Sequence, residues 1–147
     1  VLLRKIATSF LLAATTLLTA CDPGVSFAWD KRFQATIDPN CIEAALKTID
    51  ARVGRSSFVS DGSEGIPSGA NGTQFEYAVP EFQGIHAVRI VKLSTGETLY
   101  RNAWVKLGTS IEPAEAAMAE PVLRRVNDAV GRSCGLSFAG SRPREVR

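Results

Sequence analysis

Histidine and methionine each occur once in this 147-residue chain, tryptophan and tyrosine twice, and cysteine three times. One histidine, His86, and no Cys-x-x-Cys pair leave no ligand set of the kind that holds a structural zinc ion, so no metal is expected. The sequence carries neither G-x-x-x-x-G-K-[S/T] nor G-x-G-x-x-G, so it has no glycine-rich cradle for a nucleotide phosphate and no cofactor is expected. A lone histidine inside a strand-like run is poorly placed to serve a Ser–His–Asp triad. Glu64, Glu76 and Glu81 are available as paired carboxylates for glycoside chemistry, but no local pattern singles them out. The chain is therefore expected not to be an enzyme.

An excess of charge of either sign is also missing. Two of the 17 basic residues, Arg4 and Lys5, lie in the first twenty positions and none of the 15 acids does, so the remainder balances at 15 of each. A neutral remainder lacks the electrostatic footprint that nucleic acid requires. Hydrophobic content of 45% and charged content of 22% are those of an ordinary globular chain.

What is present begins with residues 1–21, VLLRKIATSFLLAATTLLTAC. Arg4 and Lys5 form a positive start, and the apolar stretch Ile6–Leu18 is shorter than the roughly 20 residues a permanent membrane helix needs. The stretch closes on Leu18-Thr19-Ala20-Cys21. This segment resembles the leader and lipobox of bacterial lipoprotein precursors, in which a leucine and two small residues precede a lipid-bearing cysteine. The resemblance covers the first 21 residues only. It implies that 1–20 is a signal peptide, that Cys21 is acylated and becomes the new N-terminus, and that a bilayer is a partner through that lipid. The alternatives are an ordinary secretory signal or an N-terminal membrane helix. Asp22 leaves the choice between inner and outer membrane open.

Export bears on the other cysteines. Beyond the inner membrane thiols oxidise, and with Cys21 acylated an even pair remains, so Cys41 and Cys134 are expected to form a disulfide.

Residues 21–35 read as a lipidated N-terminus and tether that docks through Phe27, Trp29 or Phe33. Residues 36–140 read as a single domain and 141–147 as a frayed tail. Within the domain, Ile42, Ala45, Leu46, Ile49 and Val53 recur at helical spacing, predicting a helix over 41–53 with Asn40 as its N-cap and Glu43 completing a capping box. Residues 57–60, 74–79, 85–93 and 98–107 read as strands, with Ser94–Glu97 as a hairpin connection. A Gly-rich loop occupies 61–73. A helical region runs from Pro113 to Arg132, with Pro121 expected to kink or divide it, and 136–138 reads as a short strand. The order predicts an α+β two-layer sandwich: an antiparallel sheet of three to five strands with two helices on one face.

Pairing Leu93 with Leu99 sorts the hairpin into two faces. One carries Ile85, Ala87, Val91, Leu93, Leu99, Ala103, Val105 and Leu107, with Arg89 and Arg101 in its middle. Placed under the helices, these arginines need carboxylate partners or an anionic ligand. The other carries His86, Val88, Ile90, Tyr100 and Trp104. Facing solvent, Val88, Ile90, Tyr100 and Trp104 would form an exposed interaction patch. The leading expectation is a non-catalytic, membrane-anchored interaction domain with an envelope protein partner on the periplasmic side. The alternatives are a small-ligand or cell-wall-binding module using Arg89 and Arg101 and, behind it, an unrecognised hydrolase, which would need a cleft joining His86 or two carboxylates to a nucleophile.

Overall fold

The structure is a computed structural model and describes residues 24–62 and 65–147. The leader, Cys21 and Glu64 lie outside the described residues. The chain runs β1 (Gly24–Phe33), α1 (Pro39–Lys47), β2 (Gly54–Val59), β3 (Asn71–Tyr77), β4 (Ile85–Lys92), β5 (Thr98–Leu107), α2 (Pro113–Cys134) and β6 (Arg144–Val146). All strands join one antiparallel sheet in the order β2-β3-β4-β5-β1-β6. The fold is α+β as expected, with six strands in place of three to five.

The extra strands come from the chain ends. Residues 24–33, expected as part of a tether, are a strand paired with β5 along its whole length. Their side chains alternate: Val25, Phe27, Trp29 and Phe33 fall on one face and Ser26, Ala28, Asp30 and Arg32 on the other, the period that strand geometry imposes. The expected frayed tail pairs with β1, Val146 opposite Ser26. Residues 136–138 form no strand; Phe138 packs edge-on against Phe33 with ring centroids 5.5 Å apart.

Helix α1 starts earlier than expected. Asp38, not Asn40, is its cap, and Asp38 Oδ1 accepts from the Asn40 amide at 2.9 Å. The helix stops at Lys47 because the Thr48 hydroxyl and amide both turn back onto the Ala45 carbonyl. Ile49 and Val53 still pack on the core from the following turn. Helix α2 is continuous through Pro121. Pro121 and Ala117, whose carbonyl loses its helical partner, are both exposed, so water can satisfy the freed group. Gly135 ends the helix in the left-handed conformation at φ 67°, its amide donating to the Gly131 carbonyl.

One face of the sheet meets both helices. Phe27, Trp29, Phe75, Tyr77, Val88, Ile90, Tyr100 and Trp104 form one core with Ile42 and Leu46 of α1 and Val122, Leu123, Val126 and Val130 of α2. Val91 stands opposite Leu99, so the β4–β5 register differs by two residues from the expected Leu93–Leu99 pairing. A two-residue offset preserves the face of every side chain. The helices, however, cover the opposite face from the one expected. The large aromatics of β1, β3 and β5 share a face with Val88 and Ile90, whereas the other face offers smaller aliphatic side chains interrupted by Arg32, Arg89 and Arg101. Burying the bulkier apolar surface gains more.

Candidate binding site on the open sheet face

The expected exposed patch is therefore corrected. Val88, Ile90, Tyr100 and Trp104 are between 0% and 6% exposed and belong to the core. A buried polar network runs through the same layer. The Tyr77 hydroxyl donates to Asn102 Oδ1 at 2.7 Å, Asn102 Nδ2 donates to the Leu123 carbonyl and to Asn127 Oδ1 at 3.0 Å each, and the Tyr100 hydroxyl donates to Asn127 Oδ1 at 2.8 Å. Burial pushes both tyrosine hydroxyls above their ordinary pKa, so they act as neutral donors that key α2 onto the sheet.

Arg89 and Arg101 are also corrected: they lie on the face turned away from the helices. Register lines up Gln74, Arg89, Arg101 and Asp30 in one row across β3, β4, β5 and β1. Arg101 Nε and Nη2 donate to the two Asp30 carboxylate oxygens at 2.6 and 2.8 Å, the fork-to-fork geometry that arginine favours. Arg144 Nη2 reaches the same carboxylate at 3.4 Å. Arg89 Nε donates to Gln74 Oε1 at 2.6 Å, and its guanidinium lies 5.1 Å from the Phe58 ring centre. Two guanidinium groups thus stand opposite one another on neighbouring strands, a placement that costs energy and that Asp30 offsets.

Gly65 and Ile66, in the middle of the Gly-rich segment, lie beside this row. Ile66 is buried, and the Ser60 amide and carbonyl engage Ala70 and Gly69 respectively, closing the loop on itself. Between Gly65–Ile66 and the sheet is a cavity of about 260 Å³, lined by Arg32, Arg89, Arg101 and Arg144, by Asp30, and by the apolar Val91 and Leu99. Among its described lining residues, arginines outnumber carboxylates. The arrangement fixes guanidinium groups at the wall of a partly enclosed space, which suits recognition of a carboxylate or phosphate-like oxygen group. Asp30, Arg32 and Arg144 were not singled out by sequence reasoning. The period-two alternation across 24–33 was the available signal for the first two.

Residues considered for catalysis do not converge. His86 is buried, with Nε2 donating to the Phe82 carbonyl at 3.1 Å, and burial lowers its pKa. Glu76 lies on the open face, where Gln74 donates to it at 2.7 Å, whereas Glu81 pairs with Arg125 of α2. Residues 131–135, Gly-Arg-Ser-Cys-Gly, have the spacing of a G-x-S-x-G nucleophile elbow, a match that sequence reasoning missed. They form the C-terminal end of a helix, not the strand-to-helix turn that such an elbow requires. Cys134 of that segment is bonded to Cys41, with the sulfurs 2.09 Å apart. Among the described residues there is no cluster of three or more metal-ligating side chains, and no helix long and apolar enough to cross a membrane.

These features define an α+β domain with one helix-covered face and one open face bearing an arginine-lined cavity. Comparison of the chain with protein-family models, with curated proteins and with solved structures finds no match.

Proposed function

We propose that the chain is an envelope lipoprotein, anchored through acylated Cys21, whose domain is a non-catalytic binding module on the periplasmic side. Its partner is another envelope component that presents an anionic group to the cavity on the open sheet face. The observation that carries this reading is the lining of that cavity, with Arg32, Arg89, Arg101 and Arg144 set around Asp30. The fixed guanidinium geometry supplies orientation, and Val91 and Leu99 supply an apolar wall. The Cys41–Cys134 bond supports an oxidising compartment. The separation of His86, Glu76 and Glu81 supports binding over turnover. The reading takes no metal, no nucleic acid and no cofactor.

The test uses the full chain cross-linked in its native membrane and then purified, beside a variant carrying Arg32→Glu and Arg144→Glu, two exposed arginines whose reversal leaves the core intact. The wild-type chain is expected to enrich an envelope component about tenfold or more over the variant, the scale of one lost charge-assisted interaction. Equal recovery from both chains overturns the assignment of the cavity. A turnover activity abolished by one side-chain substitution overturns the non-catalytic reading.

A further inference from the structure

The end of the sheet at which β1 begins carries an uncovered apolar rim. Leu107, the last residue of β5, is 76% exposed, and Ile85, the first of β4, is 60% exposed. Leu107 stands opposite Gly24, and Ile85 opposite Val105, so Ile85, Val105 and Leu107 share the open face at one end. Diagonal cross-strand neighbours of this kind lie about 7–8 Å apart, which makes one patch of the two exposed side chains.

What lies beside the patch identifies its occupant. Gly24 follows Cys21 by three residues. At about 3.3–3.6 Å per residue, that connection keeps Cys21 within roughly 11 Å of Gly24. A lipid on Cys21 brings the bilayer surface within the same distance of the strand end where Leu107 sits. The charged groups at this rim are already engaged. Lys106 pairs with Glu115, Arg147 pairs with Glu145, and Glu112 takes part in the capping box of α2. Among the described residues the rim has no cationic excess, so its attraction to a bilayer is apolar.

We propose that Ile85 and Leu107 enter the boundary between headgroups and acyl chains and fix the domain's orientation on the membrane. The proposal rests on the reading of Cys21 as the acylated residue. It stands the sheet on its β1-start end. Asp30 and the cavity then lie six residues up β1 from Gly24, about 20 Å at the rise of an extended strand, clear of the headgroups and open to a partner.

The experiment uses full-length, cell-derived protein reconstituted into phosphatidylcholine vesicles containing brominated acyl chains. Leu107→Trp places an indole at the rim. Val59→Trp, at an exposed position near the opposite end of the sheet, is the comparison. The native Trp29 and Trp104 are buried and shielded from the lipid. Both variants are expected to float with the vesicles. About half or more of the added indole emission of Leu107→Trp is expected to be quenched, with little quenching of Val59→Trp, and the difference is expected to persist without anionic lipid. Flotation with equal quenching of the two variants overturns the membrane-facing rim and leaves the anchor intact. Failure of both variants to float overturns the anchor and the rim together.

Discussion

Arg101 and Asp30 stand directly opposite one another on β5 and β1, and both carboxylate oxygens accept from the guanidinium at 2.6 and 2.8 Å. The arginine side chain is 9% exposed and the aspartate 28%. A largely buried guanidinium that loses a bidentate partner keeps its charge without that solvation, and partial exposure of the aspartate moderates the loss. Asp30→Ala is expected to lower stability by about 2 kcal/mol, read as a shift in the urea midpoint at unchanged slope. Asp30→Asn, which keeps one acceptor, is expected to lose less. An unchanged midpoint for both variants would show that the pair contributes nothing.

His86 gives the fold an acid limb. Burial lowers its pKa, opposed by the hydrogen bond to the Phe82 carbonyl and the nearby Glu81 carboxylate. The folded state therefore prefers the neutral ring. The associated stability is fully present above the unfolded-state pKa of about 6.5 and is lost as pH falls through that value toward the lower folded-state pKa. Between pH 7.5 and 5.5 the loss is bounded by about 1.4 kcal/mol. His86→Gln is expected to flatten this limb in urea titrations at the two pH values. The carboxylates held low, Glu43, Asp50, Glu81, Glu97, Glu115 and Glu145, act in a separate window, from about pH 4.5 downward. An equal acid limb in both proteins would assign it elsewhere.

The Cys41–Cys134 bond spans a sequence separation of 93 and joins the start of α1 to the end of α2. Closing a loop of that length removes unfolded-state freedom worth about 4–5 kcal/mol on the chain-entropy model. Cys41→Ser with Cys134→Ser is expected to lower stability by that order and to remove the effect of reductant on the unfolding midpoint. A wild-type midpoint indifferent to reductant would mean that the bond is not formed in the purified protein.

The readable parts of the fold were those whose cause is local. Residues 98–107 match β5 to the residue, because the Ser94–Glu97 turn bounds them on one side and Gly108-Thr109-Ser110, with Gly108 at φ 133°, on the other. That turn closes with the Leu93 amide on the Glu97 carbonyl and Gly96 at φ 88°. The Cys41–Cys134 bond matches the pairing expected from cysteine arithmetic and an expected oxidising compartment. The missed parts depend on distant partners. Arg-Glu-Val at 144–146 has no strand pattern of its own and becomes β6 only because β1 offers an edge. Side-chain alternation in β4 and β5 was legible. Which face the helices would take was not, because Phe27, Trp29, Phe75 and Tyr77 on the flanking strands decide it. Asp30 could not be matched to Arg101, 71 residues away, while its segment was read as a tether. The polar half of the site was hidden for the same reason.

The position of β1 inside the sheet also has a mechanical consequence. β1 has β5 on one side and β6 on the other, and its ladder to β5 runs from Gly24 to Phe33. Those hydrogen bonds lie across the strand axis. Tension entering the chain upstream of Gly24 and directed along the strand loads the whole ladder in shear at once. A strand peeled from a sheet edge would instead give way one bond after another. Under the proposed anchoring at Cys21, a pull on the chain would enter at the strand that this ladder holds along its whole length.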